Sequence, residues 1–471
     1  MDIESAASWA KTEFGRADLS DARRSARLVA FAEGVARQPA GRITEIFDGA
    51  AEREAAYRFL RNPRVDCNKI GEASSLATFE RAEGLAFVFV PIDGSSLALT
   101  DKSGDKDFGF VGTLKSGAPG LIVQTAIGVA PDGTPLGVVS QQFWSRKKRS
   151  SSKPKRTAHL PLEEKETRFW NESMERVRQA RESAGVSTRL WFQLDRGGDA
   201  KEVLFEGLNG DDLFTVRAAY SRRLKSEGDE QLRYLRTSVQ DADVVGTYEV
   251  AVTSRPGRRK RCAHMVVRTA KVTIQLNTSH GRPWNDVEAT ALLAREEGTT
   301  PDREKPLDWL LITNADVNDM HDAELVLTGY AARWRIEEFH KAWKSGVCKT
   351  EDTLLRSAEN VERFARITAA AAIRVVRLSY LARNAPTVKA AIELSDIERR
   401  ALSILAKKRR YVKHTPNHDA ITVAQCVEWI ARLGGYTGRS SGGPPGFITL
   451  QRGLERLEPF VEGLACGMAA S

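Results

Sequence analysis

Residues 330–344, YAARWRIEEFHKAWK, contain neither proline nor glycine, are dense in helix-compatible residues, and are followed by Gly346 as a stop. They predict one helix. At roughly 100° per residue, Tyr330, Arg333, Glu337 and Lys344 fall within an arc of about 60°, so one face carries a phenol, a guanidinium, a carboxylate and an ammonium. Ala332, Ile336, Phe339 and Trp343 cluster about 120° away, on the face to be buried against a core. A polar stripe beside an apolar one is also what an ordinary surface helix shows. The rest of the chain has to say whether this one carries chemistry.

Upstream, strands and helices alternate. LAFVFVPI, residues 85–92, is a continuous apolar run ending in Asp93-Gly94-Ser95-Ser96, and reads as a buried strand delivering an acid at its carboxyl end. LIVQTAIGVA and TPLGVVSQQFW, joined at Pro131-Asp132-Gly133, form a hairpin pair. Residues 162–183 are helical. STRLWFQL then ends in Asp195-Arg196-Gly197-Gly198-Asp199, a second acid at a strand tip, and DLFTVRAAY follows as a strand carrying Arg217. TYEVAVTS and AHMVVRTAKVTIQL flank the basic run Arg255-Pro256-Gly257-Arg258-Arg259-Lys260-Arg261, a hairpin with a cationic tip. PLDWLLITN, residues 306–314, resumes the apolar strand pattern, so about 220–305 reads as a β-rich insertion. A hairpin-bearing sheet with acids at two strand ends and a third acid on a later helix is what a ribonuclease-H-like core would show.

The two ends of the chain read as helical. In residues 1–70, Arg23, Arg24 and Arg27 lie on an Ala-rich background; RITEIF, the turn DGA and AEREAAYRFLRN then make a helix-turn-helix-like unit. Tyr57, Arg58 and Arg61 lie on or near one face of its second helix. A small bundle with solvated arginines would look the same. Downstream, ENVERFARITAAAAIRVVRLSYLARN is a long helix, and 420–471 is helical around QCVEWIARLGGYTG and LQRGLERLEPFVEGL. The expected division is an α/β protein with a helical domain at 1–70, a ribonuclease-H-like core at 71–370 and a helical domain at 371–471.

With 471 residues, two to four domains are expected. Lys+Arg 71 against Asp+Glu 62 gives a net charge of +9. Clustering matters more than this sum, and basic runs at 146–156, at the hairpin tip and at Lys407, Lys408, Arg409, Arg410 and Lys413 point together to a polyanion. The five cysteines form no CxxC pair, which argues against a zinc knuckle or disulfide framework. Pro416 separates His414 from His418 and disfavours a helical metal pair. No basic start with an apolar core precedes the first helix, and no run reaches membrane-spanning length. A soluble, cytoplasmic, nucleoid-associated protein with no membrane partner is expected.

The spacing Tyr-x2-Arg-x3-Glu-x6-Lys in 330–344 resembles the signature helix of bacterial DDE transposases of the insertion-sequence-four family, and RWRIEEFHKAWK is similar to that of the Tn-five group. EAAYRFLRNP and WIARLGGY resemble the same group. The chain departs from it in the basic loop after Trp144 and in a final helix without the group's tryptophans. The resemblance implies a cut-and-paste transposase whose 1–70 region recognises transposon ends and whose 371–471 region forms a homodimer on double-stranded DNA. Asp93, Asp195 and Glu337 are then the catalytic and metal-holding triad, with Asp93 shared between two Mg²⁺ ions, for which Mn²⁺ may substitute. Hard oxygen ligands suit such a pair, about 3.5–4 Å apart, which serves phosphodiester chemistry.

Arg333 and Lys344 are expected to hold phosphates, Tyr330 to hydrogen-bond one, and Trp309 to stack a base flipped from the duplex. Arg217 is expected to touch the backbone, and Arg27, Tyr57, Arg58, Arg61, Arg258, Arg259 and Lys260 to contact DNA. Cleavage through a hairpin and transfer to target DNA follow from the same resemblance. Two alternatives stay open: a ribonuclease-H-like nuclease that cuts without joining, and a non-catalytic DNA-binding inhibitor.

Overall fold

The computed structural model describes residues 6–112, 117–146, 164–225, 233–254, 256–276, 286–438 and 443–469. Helices α1 (Ala6–Phe14), α2 (Ala22–Arg37), α3 (Ile43–Ile46), α4 (Ala50–Arg61) and α5 (Cys67–Ala82) come first. Asp21 and Asp66 cap α2 and α5 by accepting from Arg23 N and Asn68 N. The short α3 and the longer α4, separated by the Asp48-Gly49 turn, are the expected pair of helices. Phe31, Phe47 and Phe59 meet edge-on beneath them.

A ten-stranded mixed sheet follows. Its strands are β1 (Phe87–Ala98), β2 (Gly109–Val111), β3 (Ala118–Val129), β4 (Pro135–Trp144), β5 (Arg189–Leu194), β6 (Leu213–Arg217), β7 (Val244–Val252), β8 (Arg261–Ile274), β9 (Val287–Glu296) and β10 (Asp308–Thr313). They are ordered β2-β3-β1-β5-β6-β10-β9-β8-β7, with β4 on β3. β1, β5 and β6 run parallel, and the remaining pairings are antiparallel. The β-rich segment therefore extends the same sheet through β10. The sequence pattern predicts β7 and β8 but not β9, because VEATALLARE is as helix-compatible as it is strand-like.

Side chains alternate between the faces of the sheet. Val90, Ile92, Phe192 and Val216 enter one core with Trp170, Met174, Val203 and Leu204 from α6 (Arg168–Ala184) and α7 (Lys201–Asn209). Phe89, Val123 and Trp191 enter the other, beneath α9 (Met320–Ala332), α10 (Trp334–Lys341) and α11 (Ala358–Asn384). The short α8 (Leu235–Gln240) packs on β8 and β9. α6 begins at Arg168 rather than near 162, and residues 162–163 lie outside the described residues.

The predicted single helix over 330–344 is in fact three pieces. α9 starts ten residues earlier, capped by Asp319, whose side chain accepts from Asp322 N. At Arg333 the ladder tightens: Arg333 N bonds Tyr330 O and Ile336 N bonds Arg333 O, each three residues apart. After α10, residues Ala342–Gly346 form a π-helical turn. The buried face is the predicted one, since Ile336, Phe339 and Trp343 are fully buried. Trp343 stacks on Phe339 at 5.6 Å and donates its indole N–H to Ala365 O and Thr368 Oγ1 of α11. Burial of each such side chain contributes about 1.5–3 kcal/mol. Gly329 lets α9 lie close on the sheet, because a Cβ there would sit 2.5 Å from the Phe89 ring.

Beyond α11, helices α12 (Asp396–Lys408), α13 (Val423–Leu433) and α14 (Phe447–Ala469) pack together, with Ser395 and Thr422 forming reciprocal capping boxes on α12 and α13. α14 reaches back to the first helices. Arg37 of α2 pairs with Glu458 at 3.3 Å and Glu462 at 2.6 Å, and Gln451 donates to Pro39 O. Arg363 of α11 is buried and donates to Leu60 O and Val65 O, both at 2.7 Å, just at and beyond the end of α4. Among the described residues no helix is long and apolar enough to cross a membrane.

Candidate active site

β1 and β5 pair in parallel up to Ile92 and Leu194, so Asp93 and Asp195 follow one another's register partners on strands about 4.8 Å apart. β1 does not end there, contrary to the strand-end reading: it runs on to Ala98 against β3. Asp93 thus stands where the parallel neighbour stops and the strand continues. By alternation from Phe89 and Trp191, both carboxylates lie on the face covered by α10. From that helix Arg333 reaches Asp93 Oδ2 at 3.3 Å and Glu337 Oε1 at 2.6 Å. The guanidinium is buried between two of the three predicted acids.

Local backbone fixes each acid. Asp93 Oδ1 accepts from Gly94 N at 2.8 Å, and Asp195 Oδ1 accepts from Gly197 N at 2.7 Å, capping a single 3₁₀ turn. Asp199, four residues past Asp195, has a fully buried side chain. It accepts from Ala219 N and Arg222 Nε at 2.7 Å and from Tyr220 N at 3.2 Å, which ties the turn after β5 to the segment after β6. The sequence places Asp199 after the second apolar strand and gives it no evident role. Nothing in the local pattern announces that its partner is Arg222.

Burial and the neighbouring Asp195 charge push the Asp93 carboxyl up to about 7, against the opposing pull of Arg333 and the Gly94 N–H, with Glu337 adding to the rise. The folded protein therefore prefers Asp93 protonated. Its contribution to stability is fully present below about pH 4 and is lost as pH rises through 7. In metal-free buffer Asp93→Asn should melt several degrees above the wild type at pH 8 and level with it at pH 4. Equal melting at pH 8, followed by circular dichroism, would show that the carboxyl is not crowded.

The other residues predicted from 330–344 are placed around this group. Lys344 Nζ lies 3.4 Å from Ser95 Oγ and 3.6 Å from Glu351, whose carboxylate also accepts from Ala98 N. The sequence marks Ser95 only as part of the run that follows the first apolar strand and gives no sign of Glu351. Tyr330 is not on an open polar face: it is 5% exposed and meets Trp309 edge-on at 5.4 Å, with Arg333 5.8 Å from its ring. The sheet accounts for this, since Trp309 of β10 covers the ring. Trp309 is thereby joined to Arg333 through Tyr330. Arg217 donates to Asp308 O on β10, beside Trp309. His340, also missed, is buried, and burial with the nearby Lys344 charge lowers it to about 3.

The remaining predicted contacts lie elsewhere. Arg27 is exposed on α2; Arg58, paired with Glu54, and Arg61, 5.3 Å from the half-buried Tyr57 ring, are exposed on α4. Arg258, Arg259 and Lys260 stand at the β7–β8 turn, where Arg259 N bonds Glu304. Among the described residues no hydrogen bond, ion pair or ring contact joins these side chains to the three acids. Arg255 and the basic residues at 147–156 lie outside the described residues. His418 does not pair with His414; it turns to Asp396 at 3.1 Å and Asp419 at 3.7 Å. Arg399 and Arg400 already neutralise those two acids.

Comparison with known families assigns both ends of the chain. Residues 6–65, which span α1 to α4, match the family model described as transposase DNA-binding. Residues 370–471, from the middle of α11 through α14, match the model described as the transposase Tn5 dimerisation domain. Together the two matches support a Tn5-like transposase, a DNA-cleaving enzyme that binds DNA through one end of the chain and forms a homodimer through the other.

Proposed function

We propose that this chain is a two-metal DDE transposase of the insertion-sequence-four family that cuts DNA at transposon ends and joins the freed ends to target DNA. The observation that carries the reading is that Arg333 bridges Asp93 and Glu337 while Asp195 lies beside Asp93, whose carboxyl is pushed up to about 7 by burial and by the neighbouring Asp195 charge. A hairpin-bearing sheet with acids on two adjacent parallel strands, faced by a third from a helix, supports a ribonuclease-H-like core.

The donor set fits divalent cations. All three groups are hard oxygen donors, and their crowding is the kind that a bound cation relieves. Asp93, Asp195 and Glu337 would hold two Mg²⁺ ions, or Mn²⁺ in their place, with Asp93 shared. When bound, such a pair supplies an oxygen nucleophile near neutral pH and neutralises the transferring phosphate.

The chain's own residues do the rest. Arg333 is a rigid fork suited to a phosphate and Lys344 a point charge beside β1, so the two position the scissile strand along Asp93–Ser95. Trp309, held edge-on by Tyr330, offers an aromatic face to a base turned out of the duplex, and so relieves a tight hairpin. Water would first cut one strand. The 3′-hydroxyl would then attack the opposite strand to give the hairpin, a second water would reopen it, and the 3′-hydroxyl would finally join target DNA.

The test is a labelled transposon-end duplex incubated with Mg²⁺ or Mn²⁺ and a target plasmid. Nicked, hairpin and joined products in that order support the reading. Cleavage without joining identifies a nuclease, and binding without cleavage a non-catalytic inhibitor.

A further inference from the structure

The basic run at the end of α12 has no part in the site described above. Lys407, Lys408, Arg409, Arg410 and Lys413 are all exposed, and none has an acidic partner among the described residues. Cations in the last turn of a helix are ordinary, because they complement its dipole. That accounts for Lys407 and Lys408. It does not account for Arg409, Arg410 and Lys413, which lie beyond the helix.

The backbone here is fixed, not frayed. Tyr411 N bonds Ala406 O at 2.8 Å and Arg410 N bonds Lys407 O at 3.0 Å, the pattern of a helix closed by a left-handed residue. That residue is Arg410, at φ 59°, where glycine is the usual and unstrained choice. Tyr411 is held by Arg432, whose guanidinium lies 5.4 Å from its ring. The Lys407 ammonium donates to Lys413 O, closing the loop on itself. A charged side chain thus occupies a strained position in an ordered turn, surrounded by four other cations. Such strain is retained where the side chain has a task.

We propose that the 407–413 turn is a second DNA contact, which grips the phosphate backbone from within the region matched by the dimerisation model. Unpaired cations on a rigid turn suit a regularly spaced row of phosphates, and binding there gains from counterion release. The contact reads no bases, so it serves transposon-end and unrelated duplex alike. The proposal rests on DNA as the partner, as does the reading above, but not on cleavage.

The test measures binding of uncleaved duplex in EDTA across a salt series, by fluorescence anisotropy. It compares wild type with a variant carrying Lys408→Gln, Arg409→Gln, Arg410→Gly and Lys413→Gln; Lys407 is kept because it ties the loop. The variant should remain a dimer by sedimentation, bind about tenfold or more weakly near physiological salt, and lose about 0.9 from the salt slope per phosphate contact removed. Arg410→Gly alone should melt higher than wild type while its slope falls. That opposition is one that a structural role for Arg410 would not produce. An unchanged slope, or a fall in affinity that accompanies loss of the dimer, would overturn the proposal. Because no step of the assay needs catalysis, wild type that binds but fails to cleave would defeat the transposase reading and leave this one standing.

Discussion

Glu337→Ala should leave binding to a transposon-end duplex unchanged and reduce its cleavage by more than about 10³-fold, the scale on which removal of a positioned catalytic group registers. Binding is expected to survive because α1 to α4, the region matched as DNA-binding, makes no contact with Glu337, whose described bond is to Arg333. The fold should survive as well. The Glu337 side chain is 35% exposed, and the neighbouring Ile336 and Phe339 carry the packing of α10. Glu337→Gln separates shape from charge: it keeps an acceptor for Arg333 but lacks the carboxylate a metal site requires. Both variants can be read on one gel by mobility shift and by cleavage with Mg²⁺. Cleavage by Glu337→Ala at even a tenth of the wild-type rate would remove this residue from the chemistry.

The second large effect concerns stability. Arg363 is 1% exposed, and its guanidinium satisfies Leu60 O, Val65 O and Asn360 Oδ1 while pairing with Glu359. Arg363→Met would keep much of the bulk but strand the carbonyls of Leu60 and Val65 and leave the exposed Glu359 without its partner. Leaving a buried carbonyl without its donor costs about 1–3 kcal/mol for each of the two. The loss should be felt first where α4 leans on α11, so residues 6–65 should exchange amide hydrogens faster before the sheet does. Hydrogen exchange followed by mass spectrometry reads both the size and the place of the change. Protection equal to that of wild type in α4 would show that the arginine is not a clasp.

The same particulars show what a chain of letters can and cannot disclose. The apolar runs before Asp93 and Asp195 could be read as strands because both are buried on two faces, and a strand of that kind has no other pattern. The hairpin of β3 and β4 was equally plain from Pro131-Asp132-Gly133. The meeting of the two acids was not, since it depends on β1 and β5 lying side by side across almost a hundred residues of intervening chain.

In 330–344 the periodicity found the buried stripe but missed the turn at Arg333. Tyr330 stays beside Arg333 but is covered, because its ring packs edge-on against Trp309 of the sheet. β9 was missed for a different reason: alanine, leucine and glutamate are good helix formers, and only its neighbours β8 and β10 make VEATALLARE a strand. Asp199 and Ser95 draw their roles from partners distant in sequence or brought close by folding, and local composition carries no trace of them.

The clasp between α2 and α14 has a consequence for how the molecule comes into being. Arg37 and Glu462 are 425 residues apart. At typical rates of synthesis α14 leaves the ribosome roughly 20–85 s after α2. Throughout that interval the helices of residues 6–65 exist without the C-terminal helix that pairs with Arg37. The contact of Arg37 with Glu458 and Glu462 therefore forms only after translation has passed α14, so the two ends of the chain are joined last.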